Sequence, residues 1–195
     1  PFDLIKKVTI DKGIETIPPD YFKDFHTIEE VSIPDSVKQI GDNCFQNCSS
    51  LRQIEIGDSA YLETGESQNV REIFNRNIEC IGKNCFRDCT ALVNVKIRGN
   101  IRRIENHCFS GCTSLMNIEI DQGVMYLGQY CFAGCNQIID IDIPQTVYFL
   151  GSNCFEDCSN LISIDLKEGL RIIDSFCFKN CVSLQEIIVP ASVTR

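Results

Sequence analysis

Histidine is scarce in this 195-residue chain, which holds only His26 and His107. That narrows the chemistry, since imidazole is the usual general base and metal ligand near neutral pH. No Ser-His-Asp arrangement, HExxH helix or glycine-rich phosphate loop is present. His107 precedes Cys108, but adjacent residues seldom face each other, and equivalent places hold Asn84, Tyr130 and Asn153. His107 is expected to be an exposed surface histidine. Catalysis is not expected, and neither a cofactor nor a metal site is assigned. Also missing is any run of 18 apolar residues, so no helix of this segment is expected to enter a bilayer. Basic residues are outnumbered, 18 against 27 acidic, for a net charge of −9. Nucleic acid and anionic membranes both need a basic stripe, so neither is an expected partner. The charge favours a basic partner or a cation, or else serves solubility alone.

What the chain does have is a period. Seven phenylalanines, Phe22, Phe45, Phe86, Phe109, Phe132, Phe155 and Phe178, share a 23-residue frame, and six are written Cys-Phe-x-x-Cys. Self-similarity at this length marks stacked repeats, each touching mainly its neighbours. Six residues after each phenylalanine comes Leu or Ile, and after nine and eleven come pairs such as Ile54 and Ile56 or Ile141 and Ile143. Apolar residues two apart predict a short strand with one buried face. Pro34, Gly57, Pro144 and Pro190 end these strands. An apolar-x-x-apolar step follows, as at Ile101 and Ile104, and often a glycine, Gly41, Gly82, Gly128 or Gly151, where positive φ is cheap. The Cys-Phe-x-x-Cys segment reads as a single helical turn, N-capped by Asp42, Asn106, Ser152 or Ser175. Asp24, Asn47, Asp88, Gly111, Gly134, Asp157 and Asn180 tolerate the left-handed conformation and should end that turn.

One interval is longer, the 41 residues from Phe45 to Phe86. The predicted organisation is one solenoid over 1–195 with an insertion loop at 57–77, carrying a short helix over Val70 to Phe74. Ile5, Val8 and Ile10 match a preceding coil and Val193 begins a further one. Both ends are therefore expected to be cut inside the array.

Two stretches, CFQNCSSLRQIEI at Cys44–Ile56 and CFAGCNQIIDIDIPQTVYFLG at Cys131–Gly151, carry a composite pattern. It resembles the BspA-like leucine-rich repeats over nearly the whole chain outside the insertion. The resemblance implies a leucine-rich-repeat solenoid of α/β type: a right-handed coil with a parallel strand ladder on one face and single helical turns. It also implies a non-enzymatic, protein-binding segment of a cell-surface or secreted adhesin, with an extracellular protein as partner. The alternative is an intracellular scaffold with reduced cysteines.

That family usually has Ala at the first cysteine of each pair, which favours reading the cysteines as small buried core residues. Disulfides between neighbouring coils and zinc sites are the other readings, and both make stricter geometric demands. Cys80, outside the pattern, is the candidate for an exposed thiol.

Two surfaces are candidates for a partner. The outward strand positions include Glu55, Glu119, Asp140, Asp142, Asp165 and Glu186, where stacked like charges about 5 Å apart would attract a basic partner or a divalent cation. The second lies on the apolar-x-x-apolar edge, with Arg102, Arg103, Met125, Tyr126, Tyr148, Phe149 and Ile172. Either Tyr126, Phe149 and Ile172 form one column there, or Met125 and Tyr148 face outward.

Overall fold

The computed structural model describes residues 4–57, 80–98 and 101–195. Within them the 23-residue period becomes a stack of coils, each contributing one longer and one shorter strand. The longer strands β1 (Lys7–Thr9), β3 (Glu30–Ile33), β5 (Gln53–Ile56), β7 (Asn94–Ile97) and β9 (Asn117–Ile120) form one parallel sheet in that order. The shorter strands β2 (Thr16–Ile17), β4 (Gln39–Ile40), β6 (Cys80–Ile81), β8 (Arg103–Ile104), β10 (Tyr126–Leu127), β12 (Phe149–Leu150) and β14 (Ile172–Ile173) form a second, seven-stranded one. The remaining pair, β11 (Asp140–Asp142) and β13 (Ser163–Asp165), continues the first face but is not hydrogen-bonded to β9. Ile118 and Ile120 in β9 are correspondingly only half-buried, unlike Ile54 and Ile56 in β5. The expected ladder is therefore interrupted, and the two-residue strands make the unbroken one.

Core and period coincide. The motif phenylalanines stack as parallel rings, with centroids 5.0 Å apart for Phe22–Phe45, 5.2 Å for Phe86–Phe109 and 5.6 Å for Phe155–Phe178. Phe45 lies 5.3 Å from Phe86, and β5 pairs with β7 directly, so the coils on either side of the long interval are neighbours. The segment expected as an insertion, with its short helix, falls outside the described residues apart from Gly57. Phe45, Phe86, Phe109, Phe132 and Phe155 are fully buried, while Phe22 and Phe178 in the outer coils are partly exposed.

The expected helical turn is absent, for a local reason. Every Phe motif is bracketed two residues on either side by a left-handed residue, for example Asn43 and Asn47 (φ 55° and 61°) or Tyr130 and Gly134 (φ 55° and 76°). These reversals aim N–H groups along the stack: Asn43, Phe45 and Asn47 donate to the carbonyls of Lys83, Cys85 and Arg87, each at 2.8 Å. A helix would turn those donors back into its own coil. The segment instead closes through successive tight turns, Gln46 to Asn43 and Cys48 to Phe45. The expected caps likewise act between coils. Asp42 accepts the Lys83 N–H at 2.8 Å and Asn106 accepts that of Gln129 at 2.9 Å.

Gly41, Gly82, Gly128 and Gly151 do not take positive φ, contrary to expectation. They are small because the coils approach closely there. A Cβ at Gly151 would sit 2.6 Å from the Gln129 nitrogen, and one at Gly41 2.4 Å from that of Pro19.

The cysteines line this core. Both members of the motifs beginning at Cys44, Cys85, Cys108, Cys131 and Cys154 are fully buried. The second of each pair donates its S–H to the phenylalanine carbonyl one coil earlier: Cys48 to Phe22, Cys89 to Phe45, Cys112 to Phe86, and so on to Cys181 and Phe155, at 3.1–3.2 Å. Burial pushes the Cys44 and Cys48 thiols up to about 12 and those of Cys131 and Cys181 to about 11. Cys80, expected to be exposed, is half-buried in β6, in register between Gln39 and Arg103.

Candidate partner-binding surfaces

Outward residues of the longer strands form two rows. Lys7, Glu30, Gln53, Asn94 and Asn117 stand in register in one, and Thr9, Ser32, Glu55, Lys96 and Glu119 in the other. The acidic positions are thus interleaved with a cation. Lys7 lies 3.3 Å from Glu30, Lys96 3.3 Å from Glu119, and Arg98 reaches both Glu55 (3.4 Å) and Glu119 (3.5 Å). Between them lies a shallow groove of about 260 Å³ lined by Lys7, Glu30, Gln53, Glu55, Asn94 and Lys96. In β11 and β13, Asp142 stands beside Asp165, and Lys167 bridges the two. These contacts raise the Lys167 pKa, the hydrogen bond to Asp165 most. Asp140 pairs with Ser163, while Glu186 lies outside any strand. The expected run of unrelieved carboxylates is not what the register builds: Lys7 and Lys96 stand in the outward rows themselves, and Arg98 and Lys167 come from positions just after the strand pairs that the pattern picked out.

The shorter strands build a different surface. In the central coils the apolar-x-x-apolar step buries its outer pair, as Val124 and Leu127 or Val147 and Leu150, and turns the inner pair outward. Register places Arg103, Tyr126, Phe149 and Ile172 in one column. The Tyr126 and Phe149 rings stack 4.7 Å apart, only 5° from parallel. The Arg103 guanidinium caps them 4.0 Å from the Tyr126 centroid, held from behind by Glu105 at 2.7 Å. That hydrogen bond raises the Arg103 pKa, while burial raises that of Tyr126 against the opposing pull of Arg103. Beside this column runs a second of Arg102, Met125, Tyr148 and Arg171, tied by backbone bonds from Met125 to Arg102, Tyr148 to Met125 and Arg171 to Tyr148. Met125 and Tyr148 are each 39% exposed. Both sequence alternatives hold together: one column is stacked and half-buried, and its neighbour faces solvent.

A third column carries His107, whose ring stacks on Tyr130 at 4.8 Å. His107 is half-buried rather than exposed, and burial, then Arg87, lowers its pKa. Cys108, the next residue, is fully buried in the core. His26 Nδ1 lies 3.0 Å from the Asn47 carbonyl oxygen. Among the described residues no three His, Cys, Asp or Glu side chains gather as a metal ion would require. No helix among them is long and apolar enough to cross a membrane.

A family model described as BspA type leucine-rich repeat region matches residues 3–75 and 79–195, in six copies. Several solved structures are similar. A leucine-rich repeat protein of T. pallidum is 23% identical with a TM-score of 0.58, the match covering 91% of this chain and 66% of that one. One from Eubacterium ventriosum is 19% identical with a TM-score of 0.77, covering 95% and 45%. The pneumococcal vaccine antigen PcpA is 20% identical with a TM-score of 0.61, covering 84% and 41%. Identities this low speak to the fold alone, and the chain spans about two-thirds or less of each of these structures. No curated protein matches the sequence.

Proposed function

Because this chain belongs to the BspA-type leucine-rich repeat family, we propose that it is a non-enzymatic protein-binding module of a cell-surface or secreted adhesin-like protein. Its binding surface is the outer face of the shorter-strand sheet. The observation that carries this reading is the aromatic column there. Tyr126 and Phe149 stack half-buried at the surface, with Tyr148 and Met125 exposed beside them. Tyr and Arg are the side chains that dominate binding energy at protein interfaces, and this face offers both. The surface or secreted placement follows the family resemblance and the analogy with a vaccine antigen of the same fold.

A second reading, an intracellular scaffold, draws support from the thiols. Six S–H donors spend their hydrogens on core carbonyls, which an unoxidised chain supplies directly. In either compartment the binding face is the same.

The test presents the purified chain to a panel of immobilised extracellular matrix proteins and to intact cells, beside Tyr148→Ser combined with Phe149→Ser. Saturable binding to at least one target, falling about tenfold or more in the double variant with its circular dichroism unchanged, is the expected result. Absence of saturable binding, or equal binding by the folded variant, would overturn the reading.

A further inference from the structure

Resting on that reading, we propose that the aromatic face takes an extended segment of the partner that is acidic at both ends and apolar in the middle. The charge pattern is specific. From Arg102 onward the outward pairs read Arg102 and Arg103, Met125 and Tyr126, Tyr148 and Phe149, Arg171 and Ile172, then Thr194 and Arg195. Backbone bonds from Thr194 to Arg171 and from Ile173 to Arg195 bring the last pair into the same stack. Four arginines bracket the aromatic centre and no carboxylate stands among these ten residues, in a chain of net charge −9. Among the described residues, Glu105 lies behind Arg103 and Asp174 at 3.6 Å from Arg195, their side chains 18% and 20% exposed. Both are set back, so the outermost charges are guanidinium groups.

The rings add to this preference. Because Tyr126 and Phe149 stack along the coil axis, they present edges to solvent, and ring edges carry the positive end of the aromatic quadrupole. Oxygen-rich and acidic groups are favoured at such edges. Length follows from the stack. Four coil steps separate Arg103 from Arg195, about 19 Å at strand spacing, which an extended peptide covers in about six residues. Guanidinium pairs at both ends match carboxylates in bidentate fashion, and the centre fits an aromatic or leucine side chain. A second copy of this chain is a poor occupant. A two-fold contact through this face would set the arginine-bearing ends of one copy against those of the other.

The probe is a synthetic peptide, Asp-Glu-Leu-Tyr-Phe-Leu-Glu-Asp, titrated by calorimetry into the purified chain, beside the same peptide with lysine at all four acidic places. The acidic peptide is expected to bind about tenfold or more tightly than its lysine counterpart and to weaken as salt is raised. Arg103→Gln combined with Arg171→Gln should remove that preference while circular dichroism stays unchanged. Equal binding of both peptides, or undiminished preference in the folded arginine variant, would overturn the proposal. So would comparable affinity for anionic lipid vesicles, or a dimer in sedimentation that Tyr148→Ser with Phe149→Ser abolishes. If that aromatic variant loses protein capture while neither peptide binds, the binding-module reading stands and only this inference falls. If capture is unaffected, both fall.

Discussion

At the scale of single residues, the thiol hydrogens are structural. The Phe86 carbonyl accepts both the Cys89 N–H and the Cys112 S–H, so two of its contacts come from two different coils. Ionising such a thiol removes a donor and leaves a charge in an apolar core. In an unfolded chain a thiol ionises near pH 8.5. In the fold, burial holds the protons of Cys44 and Cys48 to about 12 and those of Cys131 and Cys181 to about 11. A raised folded value means the stabilisation is complete below the unfolded pKa and is lost as pH climbs through the folded one. Each affected thiol contributes a slope of about 1.4 kcal/mol per pH unit in that window. The urea midpoint is therefore expected to be flat from about pH 6 to 8 and to fall steeply between about 9 and 11. Replacing Cys131 by Ala should remove one thiol's share of the slope. A midpoint indifferent to pH across that range would contradict the account.

At the scale of the element, glycine separates what the sequence made legible from what it did not. The phenylalanine column and the left-handed residues two places after it were readable, because Asp, Asn and Gly recur there in all seven copies. The matching column two places before was missed. Asp20, Asn43, Asn84 and Asn153 signal it, but His107, Tyr130 and Phe176 adopt positive φ in the same column and hide the pattern. Gly128 and Gly151 were misread because a positive φ and a close backbone approach select the same residue. The two causes separate by mutation. Gly151→Ala forces a Cβ to 2.6 Å from backbone atoms of the preceding coil, an overpacking expected to cost about 1–3 kcal/mol. Gly134→Asn, at φ 76° with no atom nearer than 3.7 Å to the new Cβ, should stay within about 0.5 kcal/mol. Thermal midpoints of the two variants check this, and the reverse order would refute it. The proposed binding face was legible as a set of residues but not as an arrangement. A two-residue strand carries too little periodicity to fix which of Met125 and Tyr126 lies in the stacked column. Arg98 and Lys167, which answer the acidic face, were missed because they sit just after the positions that the apolar pattern defines.

At the scale of the whole molecule, a solenoid is held by contacts between successive coils, so a missing contact weakens the stack where it occurs. Most neighbouring coils share three ties: a phenylalanine stack, a shorter-strand pair and a longer-strand pair. Between β9 and β11 the third is absent, while Phe109 still stacks on Phe132 at 5.5 Å and β8, β10 and β12 remain paired. Local opening should find this seam, since cooperative units divide where coupling is least. Native-state hydrogen exchange is expected to show amides of β11 and β13 exchanging together and earlier than those of β3, β5 and β7. Mild denaturant should widen the difference as the C-terminal coils open as a group. Uniform protection across all longer strands would mean that the aromatic stack and the shorter-strand ladder alone couple the coils fully. The hydrogen-bonded longer strands would then add little to the cohesion of the array.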